Sequence, residues 1–120
     1  MKGGQYMFEK SNHLKNCPKS VQESFKTLNM FLPRVKKVHG TEHPELIEVE
    51  QVADELQAVL EDGMDTIKIT ALLEKLRSLT KNYAIPSDAC PAYKNAYKAL
   101  SQIDATLSTI EATTQRQPNA

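Results

Sequence analysis

The chain has 120 residues, enough for one hydrophobic core and too few for two domains. Its 15 Lys and Arg residues balance 15 Asp and Glu, so no net field draws it to nucleic acid, an anionic membrane or a polyanionic substrate. No run approaches the roughly 18 apolar residues of a membrane span, and the opening MKGGQYMFEKSNHLKN lacks the apolar core of a secretory signal, so a cytoplasmic protein is expected.

Residues 1–17 are Lys-rich and weakly periodic and read as a flexible N-terminal segment, with a four-helix domain expected over 18–112 and a disordered tail over 113–120. In the first predicted helix, Ser20 to Val38, the apolar residues Val21, Phe25, Leu28, Leu32, Val35 and Val38 recur at spacings of three and four and form one buried stripe. Ser20 and Glu23 give it an S-x-x-E capping box just after Pro18. Lys36 and Lys37 suit its C-terminal end, and Gly40 is expected to close it in the left-handed conformation. Pro33 removes a backbone donor inside the stripe, which predicts a kink near Asn29 to Pro33 or a helix in two pieces.

The second helix is expected to begin at Thr41 to Pro44, to bury Val49, Val52, Ala53, Leu56, Val59 and Leu60, and to stop at the Asp62-Gly63 turn. The third carries Ile69, Leu72, Leu73, Leu76 and Leu79 at helical spacing and is expected to run to Pro86. The fourth is expected to start near Ser87 or Asp88, with a stripe of Tyr93, Ala96, Tyr97, Leu100, Ile103, Leu107 and Ile110. Short connections make neighbours antiparallel, so the fold class is all-α, an up-down-up-down four-helix bundle.

Few residues suggest chemistry. His39 and His43 lie four apart with Glu42 and Glu45 nearby, but Gly40 and Pro44 put them on opposite sides of a helix break, so a polar interhelical corner with His43 as a cap is expected rather than a metal site. Cys17 and Cys90 are far apart and in no C-x-x-C spacing, which suits a reduced compartment. Cys90 is placed in the first turn of the fourth helix, where a thiol gains reactivity, yet no histidine follows position 43 to serve as its base. Tyr93 and Tyr97 read as core residues.

Two segments carry a family resemblance. The run LPRVKKVHGTEHPELIEV and, more specifically, LEKLRSLTKNYAIPSDACPAYKNAYKAL resemble the hemerythrin-like iron-sulfur cluster repair proteins, which end one bundle helix with V-H-G, begin the next with H-P-E-L and carry an L-R-x-L-T-x-x-Y-x-P-P-x-D-A-C segment. The resemblance covers roughly positions 13 to 110. It implies a four-helix bundle around a di-iron site and a role in repairing clusters damaged by nitric oxide or oxidants.

Carried over residue by residue, that implied ligand set is depleted. His39 keeps the histidine of V-H-G and is the sole retained metal ligand, whereas Pro18 takes the place of the first-helix histidine. Gly63 and Ile67 take the places of a His and Glu pair on the second helix, Ile110 and Thr114 those of a pair on the fourth, and a segment with a further E-H-D histidine is absent. Ile67 and Ile110 are thus expected to fill a core that no longer balances buried polar ligands with a metal. The expectation is a degenerate relative with no cofactor and no catalytic residues, acting as a binding or regulatory module on a protein partner or as a homodimer; the alternative is an iron-binding repair protein with a divergent site.

Overall fold

The computed structural model describes Leu14, residues 17–63 and residues 65–116, with side chains described as far as Thr109. Among the described residues the elements are four helices: α1 (Lys19–His39), α2 (Glu45–Asp62), α3 (Thr66–Thr80) and α4 (Pro91–Arg116). α1 packs chiefly on α4 and α2 on α3; α1 meets α2 less closely, and α3 touches α4 less still. The all-α four-helix bundle expected from the four stripes is observed.

The stripes supply the core. Val21, Phe25, Leu28, Leu32 and Val35 of α1 are buried, as are Val49, Val52, Ala53, Leu56 and Leu60 of α2, Ile69, Leu72, Leu73 and Leu76 of α3, and Tyr93 through Leu107 of the α4 stripe. Leu46 and Gln57 join them on α2. Val38 does not: it is 68% exposed. Leu14 and Cys17 are buried against the same core, and the remainder of the segment 1–17 lies outside the described residues. α4 runs on to Arg116, past the expected start of the tail, and residues 117–120 are outside the description.

Several expected boundaries are corrected. α1 is continuous across Pro33, so a helix in two pieces does not form; Pro33 is exposed, and buried Leu32 and Val35 on either side hold the chain to the core. The Ser20 capping box is absent. Pro18 occupies the cap position, its carbonyl accepting from the Val21 and Gln22 amides, while the Gln22 side-chain amide donates to the Cys17 carbonyl. Gly40 is right-handed (φ −63°), because its amide already closes the helix on the Lys36 carbonyl; an added Cβ would collide with that same oxygen.

α3 ends at Thr80 rather than near Pro86. Lys81, Asn82 and Tyr83 follow with φ of 54°, 61° and 63°, a left-handed run that stops the helix six residues before the proline. The Thr80 hydroxyl organises the stop, donating to the Leu76 carbonyl and accepting from the Tyr83 amide. At its other end α3 is capped by Asp65, whose carboxylate accepts from the Ile67 and Lys68 amides.

Candidate functional site

One end of the bundle gathers most of the chemistry-bearing side chains. The C-terminus of α1 brings His39, the turn into α2 brings His43 and Glu45, and the segment before α4 brings Asp88 and Cys90. Tyr93 is the hub. Its ring centroid lies 5.2 Å from that of His39, 5.4 Å from His43 and 5.0 Å from Tyr97, the latter two edge to face.

His43 bridges two elements. Nδ1 is 3.2 Å from Glu45 Oε2, and Nε2 is 3.2 Å from Asp88 Oδ2, so the α1–α2 turn is tied to the α3–α4 connection. The hydrogen bond to Asp88 raises His43 above the ordinary imidazole value, with burial opposing it and Glu45 adding to it; the same contact lowers Asp88. The polar interhelical corner expected here is thus present, but His43 is not the cap: Pro44 holds that position with no side-chain cap bond, and the His43 ring turns instead to Asp88, the partner that sequence spacing missed.

His39 is engaged differently. Its Nε2 lies 3.4 Å from the Cys90 sulfur, a contact spanning 51 residues of sequence. Cys90 sits just before Pro91, the first residue of α4, rather than inside the first turn, and its carbonyl accepts from the Lys94 amide. The expected want of a base is overturned, since the imidazole comes from a histidine earlier in the chain. Tyr93 is fully buried, its ring edge to face with that of Tyr97. Burial pushes both the Tyr93 and Tyr97 phenols up.

A second network ties α3 and the turn after it to α4. Asp104 of α4, buried, takes two bonds of 2.7 Å from Arg77 Nε and Nη2, one of 2.7 Å from the Tyr83 hydroxyl and one of 2.9 Å from Ser108. Burial pulls the Asp104 carboxyl up, but Arg77, Tyr83 and Ser108 together outweigh it and hold the carboxyl below its usual range.

Beside His43 opens a groove of about 470 Å³, lined by Glu45, Tyr97, Leu79, Ile85 and Pro86 among others. A slightly larger one, about 510 Å³, lies between α1 and α4 among Ser20, Glu23, Lys98 and Gln102. Its walls are short polar and long solvated side chains with no convergent set of groups.

The described residues do not by themselves assemble a di-iron donor set. Among the described residues no three His, Cys, Asp or Glu side chains converge to hold a metal ion. Pro18 is exposed ahead of α1, Gly63 ends α2 and Ile67 opens α3, so the latter two do not share a helix. Ile67 is also 81% exposed, which corrects the expectation that it fills the core: it stands in the first turn of α3, outside the stripe that begins at Ile69. The side chains of Ile110 and Thr114 lie outside the described residues. No described helix is long and apolar enough to cross a membrane.

Comparison with known proteins bears out the resemblance. The chain is similar to the iron-sulfur cluster repair protein ScdA of Staphylococcus haemolyticus, 28% identical over 120 aligned positions that take in 71% of this chain and 53% of the relative. ScdA proteins from two strains of Staphylococcus epidermidis are 25% identical over 117 positions, again across 71% of this chain and 52% of theirs. The chain spans about half the length of the curated relatives it matches. The aligned stretch is longer on the relatives' side, so they carry residues with no counterpart here. No family model and no solved structure matches the chain.

Proposed function

We propose that this chain is a degenerate, hemerythrin-like relative of the iron-sulfur cluster repair proteins that works as a metal-free binding or regulatory module. The observation that carries the reading is the fate of the one retained ligand: His39 Nε2 is spent on Cys90, and His43 on Asp88 and Glu45, so neither imidazole is offered to a shared metal. The partner is a protein, a client or a second copy. Val38, Ile47 and Ile85, 68%, 50% and 44% exposed at the ends of elements that meet at the same end of the bundle, supply apolar surface for it.

Iron content tests the reading directly. Protein purified without chelator from iron-replete cells is expected to hold no stoichiometric iron and to melt at the same temperature with and without a chelator. A pair of irons per chain, lost in His39→Ala, would instead establish the iron-binding repair protein with a divergent site. Light scattering on the same sample separates the homodimer from a monomer awaiting another partner.

A further inference from the structure

The charge balance of the whole chain conceals a separation between two neighbouring helices. α2 carries seven acidic residues and no lysine or arginine, whereas α1 carries five basic residues against the single acid Glu23. Part of this charge is neutralised inside the molecule: Lys36 of α1 pairs with Glu50 of α2, and Lys75 of α3 with Glu48. The rest faces outward. Lys26 and Arg34 on α1, and Glu55 and Asp62 on α2, are exposed and make no ion pair among the described residues. Helix stability does not account for Asp62, because it ends α2, where the dipole disfavours negative charge, with no basic residue in the last turn. Met30 lies midway between Lys26 and Arg34 at helical spacing, and Ile47 lies two turns before Glu55 on its side of α2; they are 55% and 50% exposed.

We propose that the outward face of α1 and α2 is the docking surface for a second copy of this chain, related by a two-fold axis parallel to the helices. Asn29 donates to Gln57 and Lys36 pairs with Glu50, which fixes the heights of the two antiparallel helices: Arg34 stands level with the Glu55 turn and Lys26 with the Asp62 end. The two-fold lays α1 of one protomer on α2 of its partner at those same heights, twice over. Arg34 then meets Glu55 and Lys26 meets Asp62 across the interface, with Met30 and Ile47 covered beside them. A uniformly basic partner would suit α2 but oppose Lys26 and Arg34, and an acidic one would suit α1 but oppose α2. The partner must carry both signs side by side, as this face itself does. Helices of 21 and 18 residues present about 30 by 20 Å, roughly 600 Å² per protomer, the lower end of a specific interface, so the dimer is weak and salt-sensitive. The proposal rests on the binding-module reading and names its partner; iron measured on the same sample separates the two, because an iron-free monomer would overturn only the surface and an iron-loaded dimer only that reading.

Sedimentation equilibrium of the full-length protein is the test. A concentration-dependent dimer is expected, with a dissociation constant that rises about tenfold or more between roughly 0.05 and 0.5 M sodium chloride. Two double variants reverse one side each: Lys26→Glu with Arg34→Glu, and Glu55→Lys with Asp62→Lys. All four positions are exposed, so each variant should keep its circular dichroism spectrum and sediment as a monomer. Mixed in equal amounts they should form a dimer again, since each reversed face then meets its complement. Wild-type protein that stays monomeric up to about 1 mM, or a dimer indifferent to salt, would overturn the proposal without need of any variant. So would a dimer that survives in either reversed variant, or two folded variants that remain monomeric when mixed. A monomer that takes up polylysine would also overturn it and give the α2 face to a basic partner.

Discussion

His43 is held by carboxylates from two parts of the chain, Glu45 two residues on and Asp88 across the α3–α4 connection. Because His43 is raised, its contribution is present below the ordinary imidazole value of about 6.5 and is lost as pH climbs through the folded value. Asp88 is lowered, so its share is present above the ordinary carboxyl value of about 4 and is lost as pH falls through the folded value. The urea midpoint is therefore expected to decline as pH rises from about 6 to 8, and to decline less in His43→Ala. A variant curve parallel to wild type would refute the contribution. Asp104 is the stronger tie at this scale. Asp104→Asn keeps the shape but loses the charge facing Arg77, and chemical denaturation should register a loss of about 2 to 3 kcal/mol. Both histidines and Cys90 were legible as candidates in the sequence. Their partners were not, because Cys90 to His39 and Asp88 to His43 are contacts of the folded corner with no trace in local spacing.

At the scale of the helix, periodicity located all four elements, since each must bury one stripe whatever its ends do. The ends escaped it. Gly40 and Ser20 carried familiar terminus signals, yet the Lys36 and Pro18 carbonyls took up the amides that those signals were expected to serve. Continuity of α1 through Pro33 makes a prediction, because the proline withholds a donor without interrupting the helix. Pro33→Ala restores that donor at an exposed position and is expected to raise stability by roughly 1 to 3 kcal/mol, read from the thermal melt. The left-handed run after α3 makes another. Lys81 is exposed at φ 54°, so Lys81→Gly should stabilise the fold by about 1 kcal/mol in equilibrium unfolding. A loss in its place would mean that the lysine side chain holds the turn.

For the whole molecule, the bundle was readable from four stripes and short connections, while the relative strength of its interfaces was not, because stripes say which faces are buried and not against which neighbour. The depleted ligand set was legible only through the resemblance, and there the placement of Ile67 failed because helix ends shifted it to solvent. The uneven packing has a consequence for how the domain breathes. With α1 on α4 and α2 on α3, and little contact between α3 and α4, the molecule behaves as two leaves joined along one side and latched on the other by Arg77, Tyr83 and Asp104. Amide hydrogen exchange should find the α3 C-terminus opening ahead of the α1/α4 leaf, and Asp104→Asn should widen that difference. Each such opening would draw the connection that carries Asp88 away from His43 at the head of α2, so the latch would set how long that imidazole and its carboxylate remain together.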